Sequence, residues 1–471
     1  MLISGIILSC LLGATTLLCI SQRLKWIELL GLMFPAGIGI QTFLMVLIDW
    51  LNIPITVVSI TIATLLWIAG TGFLMFRAKD KLSDWGKQVS RFTFPKFNWC
   101  WLLFIGAIVV LEVMNFAKTT YFPTTDRDSV VGFDLYGIAI AAEHTFKGLS
   151  LFSGIDYENA RGPGSYITYT PLVHFSYGYV YLWGAKLSKI VNALFYLSFI
   201  FSFYGVTKRF ASHTLTAMVT FFAFLTPEFL AFSSLSGTNI LHAYFASLGM
   251  LFFVAFYYKK EPSLLWISSL LLFLNFWTRS EGIVFIAPIF LLLLWNAFFK
   301  TKKYKQAIGF FSIGIASFII WNIFLKTSNM DATQVFIFKP FLDTEKISTI
   351  GVECWALLTN TTYYGITFVL FTIVLVSNSW SIIKKKDMAA FLIITALALI
   401  FYMVILYQID YIWDSMLNVL RYSGKRFLFC FIPLSWFYIA ANKNMKWLFE
   451  KVDGFVFNAE SASKETKGRK R

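Results

Sequence analysis

The chain has 471 residues, of which 58% are hydrophobic, 19% aromatic and only 14% charged. Soluble domains run at roughly 45–50% apolar and about 25% charged, so a soluble multidomain enzyme is excluded. Disorder is excluded as well, because so much apolar and aromatic surface must be buried.

A helix crosses a bilayer with about 20 apolar residues. Runs of that character lie near 2–20, 27–48, 54–76, 99–117, 187–206, 214–232, 240–258, 264–277, 282–299, 306–325, 364–380, 388–407 and 427–441. The expected fold is therefore all-α, a polytopic transmembrane protein of about 13 spans. The first run has no basic segment before it and no A-x-A site after it, and reads as a retained span rather than a signal peptide. The five cysteines, Cys10, Cys19, Cys100, Cys354 and Cys430, form no CxxC or Cys/His cluster. They predict neither a zinc site nor a disulfide framework.

The net charge of +15 is distributed unevenly along these runs. Alternate connections hold 27 of the 40 Lys and Arg residues: Arg23 and Lys25, Arg77 to Lys96, Lys208-Arg209, Lys259-Lys260, Lys300 to Lys305, Lys384-Lys385-Lys386, and the tail from Lys443 to Arg471. Basic loops stay in the cytoplasm. The expected topology has the N-terminus outside and the C-terminus inside. Contact with anionic membrane lipid accounts for the basic charge, and nucleic acid is not an expected partner.

The outer face is expected to hold two long segments, 118–186 and 326–363, and a shorter one, 408–426. Long connections of this kind are usually functional. The spans themselves are nearly free of ionisable residues, with Glu112 and Glu228 as exceptions near outer helix ends.

The first long segment opens with Thr124-Thr125-Asp126-Arg127-Asp128-Ser129. Two carboxylates at i and i+2 can share a proton or converge on one divalent cation, Mg²⁺ or Mn²⁺. A carboxylate can also take the proton from an attacking hydroxyl. The alternative is a helix N-cap at Asp126 or Asp128. Ala139, Ala142, Glu143 and Phe146 have helical spacing and predict a short interfacial helix, with Glu143 and His144 on its solvated side. Asp156 and Glu158 follow in a turn-rich stretch that ends at Arg161-Gly162-Pro163-Gly164, either as further acids of a site or as a solvated turn. Beyond them, 171–183 is apolar but too short to span. It reads as an interfacial or re-entrant helix with Pro171 in its first turn and His174 as a hydrogen-bonded packing residue.

Further on, Trp277-Thr278-Arg279-Ser280-Glu281-Gly282 forms a tight outer corner. Ionisable groups so close to the membrane are costly unless paired or used. Arg279 could pair with Glu281 or a lipid headgroup, or clamp a phosphate. Arg421-Tyr422-Ser423-Gly424-Lys425-Arg426 puts three cations against the preferred topology, and phosphate binding is the better explanation there. Asn360-Thr361-Thr362 matches a glycosylation sequon and is expected to be a chance match.

Taken together, these motifs resemble the GT-C superfamily of polytopic glycosyltransferases. The likeness is especially to the bacterial branch similar to dolichyl-phosphate-mannose mannosyltransferases and aminoarabinose transferases. The resemblance is carried by the early acidic motif, Thr170-Pro171-Leu172, Arg209 in a basic turn, Thr226-Pro227 at a span end, and the Arg279-Ser280-Glu281-Gly282 corner. It covers 99–300 best. Arg127 interrupts the paired acids seen in some members, and three spans precede the matched core.

The resemblance implies transfer of a sugar from a polyprenyl-phosphate donor to a glycan, lipid or protein acceptor at the outer face of a bacterial plasma membrane. It places the first acid on Asp128 or Asp126 and a second near Asp156 or Glu158. The donor phosphate falls to Arg279, Lys425 and Arg426, with Arg421 or Arg161 assisting. Metal dependence varies across the superfamily, with Asp126 and Asp128 as the ligands if a cation is used. The corresponding organisation is 1–98 as a three-span extension with a basic loop, 99–325 as the core, 326–441 as the C-terminal spans and loops, and 442–471 as a basic tail. Two other readings are a flippase or transporter of lipid-linked sugars, which would share the apolar groove and phosphate clamp, and a polysaccharide polymerase or ligase, which would lean on Arg and His in one large late outer loop.

Overall fold

A computed structural model describes residues 1–77, 98–152, 169–330, 342–409 and 415–451. The expected sites at Asp156, Glu158 and Arg161 lie outside these residues, as does most of the basic tail. All regular structure among the described residues is helical, as an apolar chain with periodic small polar breaks requires.

The helices, in chain order, are α1 (Leu2–Ile20), α2 (Trp26–Trp50), α3 (Val57–Arg77), α4 (Trp99–Tyr121), α5 (Asp134–Glu143), α6 (Leu172–Leu182), α7 (Ile190–Thr207), α8 (His213–Phe224), α9 (Pro227–Phe232), α10 (Asn239–Lys259) and α11 (Ser263–Thr278). They continue with α12 (Ile283–Asn296), α13 (Tyr304–Thr327), α14 (Thr344–Leu358), α15 (Thr361–Tyr364), α16 (Thr367–Ser377), α17 (Ser379–Lys385), α18 (Ala389–Ile409), α19 (Met416–Val419), α20 (Lys425–Phe427) and α21 (Phe431–Ala441). Each expected apolar run is helical. Among the described residues nine helices are long and apolar enough to cross a membrane, and α16 with α17, bent by 52°, makes a tenth if counted as one span. An integral membrane protein follows. The count of thirteen includes runs that are shorter or broken. The run 214–232 breaks at Thr226, because Pro227 cannot donate to a continuing ladder and instead starts α9.

Residues 1–77 do not stand apart from the core. α2 is buried along most of its length and packs against α1 and α7. Its crossing with α1 is close because both sides carry glycine: a Cβ on Gly37 would lie 1.7 Å from the Ser9 carbonyl oxygen, and one on Gly13 would lie 1.9 Å from that of Met33. Small residues at such crossings let backbones touch where no hydrophobic force drives helices together in lipid. α3 and α4 are the peripheral helices, with most of their surface facing outward.

The segment expected to lie along the interface packs inside the bundle. α6 is buried on every side from Leu172 to Val180 and packs on α5. Its neighbours include α2 and α7, so it is a core helix too short to span. α5 stops at His144, which takes a left-handed conformation with φ 60°. The chain then turns so that Phe146 is fully buried. Asp49 holds this turn through Thr145 Oγ1 at 2.7 Å and the backbone N–H groups of Phe146 and Lys147. Glu143 and His144 are exposed, as expected. Asn360 caps α15 by accepting from the N–H groups of Thr362 and Tyr363, an ordinary helix-cap role.

Candidate active site at the converging helix ends

The segment after α4 leaves the helix at Tyr121 and is pinned at once. Lys189, 3% exposed at the start of α7, donates from Nζ to the carbonyl oxygens of Phe122 and Pro123. The chain then passes through Asp126 into a π-helical turn, Asp128–Phe133. Arg127 occupies that turn's N-cap position, and no side-chain bond caps it. Asp126 instead accepts from Ser129 Oγ at 3.3 Å. Ser129 Oγ also donates to the Ser236 carbonyl oxygen. That ties the acidic turn to the α9–α10 connection, more than one hundred positions away in sequence.

The α9–α10 connection is fixed from behind. The N–H of Gly237 donates to Tyr177 Oη at 2.7 Å, Tyr177 donates on to Asn192 Oδ1 at 2.7 Å, and Asn192 Nδ2 returns to the Gly237 carbonyl oxygen. Ser188 and Ser236 hydroxyls lie 3.1 Å apart. All four side chains are nearly or fully buried, so the backbone they hold is stiff.

Against this frame four segments meet in one cleft. Asp126, Asp128 and Phe133 come from the acidic turn, and Ser236 to Asn239 from the α10 N-terminus. Arg279 comes from the α11–α12 corner, and Ser423 and Arg426 from a second π-helical turn and the helix after it. π-helical turns are rare and occur frequently at functional sites. Here two of them, Asp128–Phe133 and Leu420–Gly424, face one cleft.

Arg279 is 8% exposed. Its Nη2 and Nε meet the two carboxylate oxygens of Glu281 at 2.7 and 3.2 Å, and Nη1 reaches toward Asn239 Oδ1 at 3.5 Å. Burial works against the guanidinium charge, but the Glu281 carboxylate more than offsets it and holds the Arg279 pKa above the usual arginine value. Of the roles considered from sequence, the structure shows the pairing with Glu281, and Arg279 also lines the cleft. Arg426 Nη1 lies 3.1 Å from Asp128 Oδ2, and its Nε donates to the Tyr422 carbonyl oxygen at 2.8 Å.

The other expected cations are placed differently. Lys425 faces Glu228, Nζ to Oε1 3.1 Å, and sits 4.8 Å from the centre of the Tyr363 ring. It does not line the cleft. Arg421 is exposed. Consecutive residues on a helical turn point about 100° apart, which is why Lys425 and Arg426 part company. His174 is fully buried, with its ring 4.8 Å from Tyr136 and 5.3 Å from Phe133. It packs as expected, but neither ring nitrogen has a hydrogen-bond partner among the described residues.

Among the described residues no group of three or more His, Cys, Asp and Glu side chains is placed to hold a metal. Mg²⁺ commonly binds through one or two carboxylates with substrate phosphates supplying the rest.

Sequence reasoning missed Lys189, Tyr177, Asn192 and the Ser236–Gly237 turn. The available signals were an asparagine inside an apolar run and the dense Ser233-Ser234-Leu235-Ser236-Gly237-Thr238-Asn239 connection. Elsewhere, Leu428, two residues past Arg426 in sequence, lines an apolar cavity of about 490 Å³. Phe431 extends that wall, and Trp355, Phe368, Phe371 and Leu392 complete much of it. No protein-family model, curated protein or solved structure matches the chain.

Proposed function

We propose that the protein is a membrane glycosyltransferase of GT-C type that moves a sugar from a polyprenyl-phosphate donor to a glycan, lipid or protein acceptor at the extracytoplasmic face. The observation that carries this reading is the cleft itself. It joins two carboxylates to two arginines that lie about 150 and 300 positions further along the sequence. Acid–base help and anion stabilisation are the two needs of sugar transfer from a lipid phosphate. The apolar cavity lined by Leu428 and Phe431 is of a size and character to take part of a prenyl tail.

In this mechanism Asp128 accepts the proton of the acceptor hydroxyl as that oxygen attacks the anomeric carbon. The bond from that carbon to the phosphate oxygen breaks, and its electron pair leaves with the lipid phosphate. Attack opposite the leaving group inverts the anomeric centre. Arg279 and Arg426 stabilise the phosphate as its charge grows. Asp126 orients the turn through Ser129. A divalent cation, Mg²⁺ or Mn²⁺, would be held by Asp126 and Asp128 with the donor phosphate, and would neutralise part of the leaving charge.

The test is Arg279→Ala combined with Glu281→Gln, which neutralises the carboxylate that loss of Arg279 strands, compared with Glu281→Gln alone. A charge-assisted hydrogen bond contributes about 1.5–3 kcal/mol, so KM for the lipid donor should rise roughly tenfold or more on loss of Arg279. A well-folded variant with unchanged donor kinetics would reduce Arg279 to the structural partner of Glu281. The flippase reading would gain if donor lipid bound normally and crossed the bilayer with no sugar transferred.

A further inference from the structure

Two basic residues meet at the end of the bundle away from the cleft. α10 runs from Asn239, which lines the cleft, to Lys259, about 30 Å along its axis. There Phe210 is buried and packs edge to face on Phe437, with ring centres 5.2 Å apart. Lys259 Nζ lies 4.8 Å from the centre of the Phe210 ring, and Lys446 Nζ lies 6.0 Å from it. The ring attracts each ammonium, but two cations at one ring disfavour each other. Burial, and after it the Lys259 charge, push the Lys446 pKa below the ordinary lysine value. Among the described residues neither lysine forms an ion pair. The acids around them are taken or solvated. Glu261, two residues past Lys259, pairs with Arg209 at 2.8 Å. Asp387 accepts from Asn378 Nδ2 at 3.1 Å and from the N–H of Lys443 at 3.0 Å, and Glu450 is exposed.

The same corner carries a surface helix. Residues 443–451 are helical, and buried Asn442 caps them by accepting from the N–H of Met445 at 3.0 Å. Beside Lys446, Trp447 is 58% exposed and Leu448 45% exposed. Lys451 Nζ stands 3.9 Å from the centre of the Trp447 ring. An exposed Trp and Leu flanked by lysines suit the boundary between lipid headgroups and acyl chains. Lys259 ends a helix of spanning length, which puts its ammonium at that boundary too.

We propose that Lys259, Lys446 and the Phe210 ring form a defined site for the phosphate of one anionic phospholipid. The phosphate bridges the two ammoniums, replaces their repulsion with two charge-assisted contacts, and docks residues 443–451 on the end of α10. General attraction to an anionic bilayer needs only net charge, whereas this site needs these two side chains. It is independent of the cleft and of the chemistry proposed there.

The experiment titrates the full-length protein in detergent with dioleoylphosphatidylglycerol and reads bound lipid by native mass spectrometry. Dioleoylphosphatidylethanolamine is the zwitterionic control, and inorganic phosphate is the free anion. The site predicts a first, saturable phosphatidylglycerol adduct that phosphatidylethanolamine does not match and millimolar inorganic phosphate does not displace. A lysine at an anionic surface contributes about fivefold in affinity, so Lys259→Gln with Lys446→Gln should weaken that adduct roughly tenfold or more. Lys259→Arg with Lys446→Arg keeps both charges and should retain it. Lys303→Gln with Lys305→Gln removes the same charge from another exposed turn and should leave the first adduct unchanged. Equal weakening by the two Gln pairs would reduce the site to general charge attraction and overturn it. Equal binding of phosphatidylethanolamine, or displacement by inorganic phosphate, would overturn it on the wild-type protein alone, whatever the folding of the variants.

Discussion

Asp128→Asn should leave the protein folded and abundant while sugar transfer falls by about 10²–10⁴, the loss that accompanies removal of general acid–base help. The substitution keeps size and hydrogen-bonding capacity, so the contact with Arg426 can persist as a neutral one. The ion pair is part-exposed, and its weakening should cost no more than about 1 kcal/mol. Thermal stability measured beside transfer activity separates the two effects. Without a cation Asp126→Asn should be milder, because Asp126 then acts through Ser129; with a cation held by Asp126 its loss should also be severe. Glu143→Gln is the control, since that side chain serves Ser150 through its N–H at 2.7 Å and its hydroxyl at 2.6 Å. Full activity in Asp128→Asn together with loss in Asp126→Asn would move the base to Asp126. Activity in both would remove the acidic turn from the chemistry.

The largest expected stability effect lies at the opposite end of the bundle. Arg209 donates from Nε and Nη2 to the two oxygens of Glu28 at 2.5 and 2.7 Å, from Nη1 to Glu261 at 2.8 Å, and from Nη2 to the Arg23 carbonyl oxygen at 2.9 Å. Glu28 is fully buried and also accepts from the N–H of Lys25 at 2.8 Å. This one guanidinium therefore ties the α1–α2 turn, the α7–α8 turn and the α10–α11 turn together. Arg209→Met strands the Glu28 carboxylate, and breaking a buried pair in this way costs about 3–5 kcal/mol. The expected result is a large drop in thermal midpoint and in folded yield from detergent. Adding Glu28→Gln should recover part of the loss, because the uncompensated charge is gone. Equal stability of Arg209→Met and wild type would mean that the buried network contributes nothing.

Much of the architecture was legible because membrane burial writes itself into long apolar runs, and each of those runs is helical. The candidate site was legible by residue type and less so by direction. Asp126, Asp128, Arg279 and Arg426 share one cleft, as residues costly to place near a membrane must find partners or uses. Lys425 could not be separated from Arg426, because neighbouring side chains diverge only once the helical phase is known, and a π-helical turn shifts that phase. Arg209 read as one more basic residue of a cytoplasmic turn, since its partner Glu28 is far away in sequence and looks like an ordinary first-turn acid. The burial of α6 was hidden for a related reason: an apolar helix of eleven residues has the same composition in a bundle core as at an interface.

The central claim is that the cleft serves a sugar carried on a lipid phosphate. Mass spectrometry of lipids that copurify with wild type and with Arg279→Ala tests it most directly. The account predicts a prenyl phosphate bearing a sugar in the wild-type preparation, strongly depleted in the variant, and accumulating in cells that lack the gene. Bulk phospholipid alone in both preparations, with no glycosylated prenyl phosphate changed by deleting the gene, would contradict it.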